Sequence, residues 1–202
     1  MPASSTTEVL YAVTVAERRR LVAVLQGLEP AGWDHASLCE GWRVREVTAH
    51  LTMAYRYSGW AVGWGVVKAH GSFARFADHA ARHDASVMSA DDLLRSLATN
   101  VEHTWRPPGG GQAGALTHDV IHGLDITEPL GLEAPPIATI RHVLDHFGPR
   151  NLKFFGVDLD GHRLEAADTN WHLGRGETIR LLAKDILLLV TAREPLPDPT
   201  TT

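Results

Sequence analysis

The chain has 202 residues, 44% of them hydrophobic, which suits one domain of ordinary size or a larger domain with a small appendage and a core that needs no disulfide scaffold. A formal charge of −5, with no basic block beyond Arg18-Arg19-Arg20, leaves no nucleic-acid footprint, and apolar runs such as Ile186 to Val190 are too short to span a bilayer. The single cysteine, Cys39, excludes an internal disulfide, and the N-terminus carries no basic region followed by an apolar run, so a cytoplasmic protein is expected.

From about Glu8 to Leu28 the residues Leu10, Val13, Leu21, Val24, Leu25 and Leu28 recur at helical spacing, which predicts a first helix with the three arginines on its wet face. Glu29-Pro30-Ala31-Gly32 ends it, and Trp33 to Glu40 reads as a loop. Trp42, read as a packing anchor, begins a second helix carrying His50, Met53, Ala54 and Tyr57 along one face. Glycines at 59, 63 and 65 loosen or closely pack its far end, where Trp60 and Trp64, one turn apart, read as core. A mixed-charge connector follows. Ser89-Ala90-Asp91-Asp92 is an N-cap signal for a third helix running to about Trp105, and Pro107-Pro108-Gly109-Gly110-Gly111 stops it. That glycine run lacks the strand, spacing and lysine of a phosphate loop. A fourth helix, from about Ala113 to Glu128, ends at Pro129 and Gly131.

After Pro135-Pro136 the pattern changes. Ile137 to Phe147 predicts another helix, and Gly148-Pro149 breaks it before a short apolar stretch to Phe155. Gly156 to Ala166 alternates apolar and polar residues around Asp160-Gly161, which predicts a tight hairpin, with Trp171-His172-Leu173 as a third short strand. Gly176-Glu177-Thr178 then opens a last helix whose apolar face is Ile179, Leu182, Ala183, Ile186, Leu187 and Val190. The expected fold is mainly α: a four-helix bundle over residues 1–134, with a small α+β C-terminal domain over 135–202.

The chemistry concentrates on three histidines. His118 and His122, four apart, project from one face of the fourth helix, and His50 on the second helix can complete an open three-ligand metal site of the catalytic kind. The same spacing recurs at His79/His83 and His142/His146, so spacing alone does not select the pair. Its surroundings do: Val120, Ile121, Leu124 and Ile126 predict a buried helix, whereas His79 and His83 lie in a charged, solvated stretch. Asp125, two turns after His118, shares the histidine face and can orient an imidazole or bind the ion itself. Glu46, one turn before His50, Asp125 and Tyr57 are candidates for moving protons. Cys39 reads as a structural cysteine, because no histidine or basic residue adjoins it in sequence.

Taken in order, the segment Gly41-Trp42-Arg43-Val44-Arg45-Glu46-Val47-Thr48-Ala49-His50, the pair His118/His122, and Asp160-Gly161 followed by Asp168-Thr169-Asn170-Trp171 resemble the mycothiol-dependent maleylpyruvate isomerase family, within the DinB-like metal-binding four-helix bundles. The resemblance covers nearly the whole chain, from Trp33–Leu51 through Thr117–Asp125 to Leu159–Arg193. It implies a divalent metal, usually zinc, on His50, His118 and His122, and mycothiol as cosubstrate. One position departs: the isomerases proper carry glutamate where this chain has His118, which leaves the ion more electrophilic and puts maleylpyruvate in doubt as substrate. Arg163, Arg175 and Arg180 are candidates for the arginine that such isomerases use toward an acidic substrate. The expected activity is a thiol S-transferase or isomerase acting on a small electrophile through a metal-bound thiolate. Metal-assisted hydrolysis and a non-catalytic metal- or ligand-binding regulatory module stay open, as does the oligomeric state, a homodimer included.

Overall fold

The computed structural model describes residues 5–196, which divide between Glu133 and Ala134 into two compact units. In the first unit α1 (Thr6–Gln26) starts at Ser5, whose hydroxyl accepts from the Glu8 amide while the Glu8 carboxylate accepts from the Ser5 amide. A 3₁₀ turn (Pro30–Asp34) buries Trp33, and the following loop closes through a bridge between Ala36 and Arg43. Gly41, at φ 69°, takes the left-handed turn that returns the chain to α2 (Val44–Arg56).

The glycine-rich continuation is a separate helix. The chain breaks at Tyr57, Ser58 caps the new start by accepting from the Ala61 amide, and α3 (Gly59–Lys68) follows. Trp60 and Trp64 are not core: they are 81% and 53% exposed and stack on each other, with ring centroids 6.5 Å apart. The stretch expected to be a connector is α4 (Phe73–Val87), a helix that buries Phe76, Ala77, Ala80, Ala81, Asp84 and Ala85 along one side. Its small, alanine-based stripe carries too little apolar bulk to stand out among charges in the sequence. Ser89 caps α5 (Ala90–Ala98) as expected, but the helix ends seven residues before Trp105.

The last helix of this unit is α6 (Gly111–Thr127). Helices α1, α2, α5 and α6 form the bundle: α1 packs on α5 and α6, α2 packs on the same two, and α4 adds to the outer side of α2. Leu21, Leu25, Val44, Val47, Leu51, Leu93, Leu97 and Ile126 make the centre of this core. Their burial is the main source of its stability, at roughly 1.5–3 kcal/mol for each large side chain before chain entropy is counted. None of the described helices is long and apolar enough to cross a membrane.

The second unit has α7 (Ile137–Leu144), α8 (Pro149–Phe155), three short strands and α9 (Ala183–Val190). Two sequence expectations fail here. Asp160-Gly161 does not join two strands; it is a positive-φ turn that leads into β1 (His162–Ala166), whose antiparallel partner is β2 (His172–Gly174). Residues 177–181 are not the start of the last helix but β3 (Glu177–Leu181), parallel to β1 on its other side. Only Arg175 and Gly176 separate β2 from β3, so the chain must pass close under the start of β1. Gly176 sits at φ 117°, where a Cβ would fall 1.6 Å from the Gly161 carbonyl oxygen, so no side chain is accommodated there. Trp171 ties this sheet to α7, its indole Nε1 donating to the Leu144 carbonyl at 3.0 Å.

Candidate metal centre

The site is built on α2 and α6. Helical geometry places His118 and His122 one turn apart on the side of α6 that meets α2, and His50 faces them from α2. The ring centroids of His50 lie 5.2 Å from His118 and 4.8 Å from His122, and the latter two are 4.8 Å apart. One nitrogen from each ring lies within 4.8 Å of the other two.

Each ring on α6 is held by a carboxylate. Asp119 Oδ1 accepts from His118 Nδ1 at 2.9 Å, and Asp125 Oδ2 accepts from His122 Nδ1 at 2.9 Å. A carboxylate on Nδ1 keeps the proton there and leaves Nε2 bare as a ligand atom. Burial pushes the Asp119 carboxyl up, but the bonds and charges of His118 and Arg18 outweigh it and hold this group below its ordinary value. Burial, followed by the adjacent imidazoles of His122 and His118, holds His50 well below its ordinary value of 6.5 against the opposing pull of Asp125. His50 is therefore neutral in the pH range where proteins work, as a ligand must be.

Geometry provides the test of fit. His50 Nε2 and His118 Nε2 are 3.3 Å apart. Two nitrogens about 2.0–2.1 Å from one tetrahedral zinc stand about 3.3–3.4 Å from each other. His50 Nδ1, moreover, is buried with no hydrogen-bond partner, so the protein serves at most one nitrogen of this ring. A cation shared by one nitrogen from each ring would account for the convergence of the three imidazoles. The donor set suits a borderline ion of the zinc type.

Indoles flank the rings: Trp42 lies 5.3 Å from His50 and Trp105 lies 5.2 Å from His118. Trp42 is anchored in turn by its Nε1, which donates to Asp78 Oδ1 at 2.7 Å, so α4 fixes one wall of the site.

Several side chains take positions that local sequence could not assign. Cys39, which has no histidine beside it in sequence and reads there as structural, donates from Sγ to Asp125 Oδ2 at 3.0 Å and lies 3.9 Å from His122 Nδ1. The loop before α2 brings it there, with the Leu38 amide also donating to the Asp125 carbonyl. Arg18 is not on a wet face: it is 2% exposed and its Nε donates to Asp119 Oδ2 at 2.6 Å. Helical spacing gives no signal for Asp119, because it adjoins His118 and lies off the face that the i, i+4 and i+7 positions share. Asp125 does join the cluster. Glu46 is engaged elsewhere, accepting from the Arg43 amide, Nε and Nη2 at 2.8, 3.1 and 2.6 Å. Tyr57 donates to Asp84, the partner of Arg56. In the second unit Arg163 and Arg180 pair with Glu165, and Arg175 is exposed between β2 and β3.

The chain is thus a mainly helical protein, with a bundle that brings three imidazoles together and a small sheet-containing unit. The sequence profile of the mycothiol maleylpyruvate isomerase N-terminal domain matches residues 14–127, more than half of the chain and all three histidines. The chain belongs to this family, a family of enzymes. Among solved structures it is similar to the mycothiol-dependent maleylpyruvate isomerase, with a TM-score of 0.64 and 13% identity over 94% of this chain and 90% of that one. A histidine-to-alanine variant of that isomerase matches with a TM-score of 0.63, again at 13% identity over 94% and 90% of the two chains. At that identity the likeness is one of fold. No curated protein matches the chain at a significant level.

Proposed function

We propose that the protein is a metal-dependent, mycothiol-using thiol transferase or isomerase, with a small electrophile as its second substrate and His50, His118 and His122 holding a divalent ion, zinc by preference. The observation that carries this reading is the convergence of three imidazoles, two of them held through Nδ1 by buried carboxylates. The three histidines would hold the ion, and the chemistry it would supply is Lewis acidity, enough to acidify a thiol whose free pKa is about 8.5.

The remaining roles belong to the chain's own residues. Asp119 and Asp125 hold protons on His118 Nδ1 and His122 Nδ1, so that both Nε2 atoms stay bare. Burial keeps His50 neutral, and the indoles of Trp42 and Trp105 limit water beside the rings. Glu46 acts on the scaffold, closing the first turn of α2 through Arg43, and no proton transfer is assigned to it. The metal-binding function resides, on this reading, in residues 1–134.

The test is cobalt substitution. Purified protein loaded with Co²⁺ should develop a sulfur-to-metal charge-transfer band on titration with mycothiol, and more weakly with other small thiols. Failure to take up cobalt overturns the metal reading, and hydrolytic turnover with no band at saturating thiol replaces thiol chemistry by water activation.

A further inference from the structure

We infer that Arg18, on the opposite side of Asp119 from the histidines, is a positioning residue for His118, and that it sets the ring from two sides at once. The inference rests on the reading of the histidines as metal ligands. A buried guanidinium is costly unless its charge is paired and its donors are satisfied. Here both conditions are met by groups that lead to one ring. Arg18 Nε donates to Asp119 Oδ2 at 2.6 Å, and Asp119 Oδ1 accepts from His118 Nδ1. Arg18 Nη1 donates to the carbonyls of Val101 and His103 at 3.2 and 2.6 Å, in the segment that carries Trp105 against the His118 ring. Tyr55 covers the guanidinium, with its ring centroid 5.5 Å from the arginine Cζ.

Stability alone does not explain this arrangement, because a buried ion pair replaced by well-packed apolar groups is often neutral or stabilising. Position does explain it. An arginine presents donors in a fixed planar fork, so a carboxylate on one edge and two carbonyls on another are locked relative to each other, which the single ammonium of lysine cannot do. Asp119 held on one oxygen by Arg18 offers the other to His118 in one direction only. The ring then keeps its proton on Nδ1 and turns a bare Nε2 toward His50.

The experiment uses the full-length protein and reads ring and metal separately. In metal-free wild type, nitrogen NMR of the histidine side chains should show His118 with its proton on Nδ1; in Arg18→Lys and in Arg18→Gln it should show mixed tautomers. Competitive titration should find zinc bound about 10–100-fold more weakly in both variants, the range typical of removing an outer partner of a metal ligand. Asp119→Asn, which leaves Arg18 in place, should weaken zinc similarly, and combining it with Arg18→Lys should add little further. A wild-type His118 protonated on Nε2 overturns the proposal even if neither arginine variant folds. So does a folded Arg18→Lys protein with unchanged tautomer and zinc affinity. If wild type binds no zinc while the tautomer depends on Arg18, the metal reading falls and the positioning of His118 by Arg18 stands.

Discussion

Helices α4 and α6 carry the same motif, two histidines four residues apart, and put it to opposite uses. On α4, His79 and His83 lie on the exposed side, because Phe76, Ala77, Ala80, Ala81 and Ala85 turn the other side toward the core. On α6 nearly every side from Ala115 to Thr127 is buried, since this helix packs against both α1 and α2, and its histidines face a third one across the helix pair. The α6 pair has a carboxylate on each Nδ1, and both carboxylates are buried. Spacing makes two imidazoles neighbours; packing decides whether they meet a ligand or water.

Removal of the α6 pair should have the largest consequence. The double substitution His118→Ala/His122→Ala should take the metal content of purified protein from about one ion per chain to background, and His50→Ala should remove most of it, as a site of this type depends on three protein ligands. Elemental analysis decides the matter, and full occupancy in the double variant would sink the assignment.

Next in size is the support of the ring. Asp125→Asn keeps the shape of the side chain but weakens its hold on His122 Nδ1, so zinc affinity should fall about 10–100-fold while circular dichroism is unchanged. An affinity within twofold of wild type would mean that Asp125 is held there for packing alone.

A smaller effect concerns pH and the metal-free protein. The folded state holds His50 well below 6.5, whereas the unfolded chain takes its proton near that value, so between the two the unfolded state binds more protons and stability rises with pH. The contribution is complete above about pH 6.5 and is lost as pH falls toward the depressed value. Urea midpoints of wild type should therefore drop on acidification through this window, ahead of the carboxylates, and His50→Gln should flatten the slope. Parallel slopes in the two proteins would remove His50 as the cause.

The smallest effect belongs to the α4 pair. His79→Ala/His83→Ala, on the exposed side of α4, should leave metal content at the wild-type level and shift stability by less than about 0.5 kcal/mol, as surface substitutions usually do. Metal loss in this variant would show that exposure on α4 does not exclude a second site.

Much of the bundle and the pairing of His118 with His122 were legible because both rest on local, periodic signals. The apolar repeat of α1, the Ser89 cap of α5 and the apolar surroundings of His118 and His122 are each contained within a dozen residues. The hairpin and the last helix were misread for the converse reason. Thr178 and Ile179 belong to a strand only because β1 lies beside them, and the same apolar residues continue without a break into α9. Alternation over so short a run cannot be told from the first turn of a helix.

By itself, then, the sequence determined a mainly helical chain, the family to which it belongs, and the three histidines that converge, because periodicity and motif order survive in one dimension. Only the tertiary structure decided which charged and polar groups stand behind those rings. Arg18, Asp119 and Cys39 come from the first helix, the residue next to a histidine, and the loop before α2, and nothing local marks them out. A salt bridge spanning 101 residues of chain is a property of packing: burial raises the cost of each charge, and the fold settles which partner is near enough to offset it.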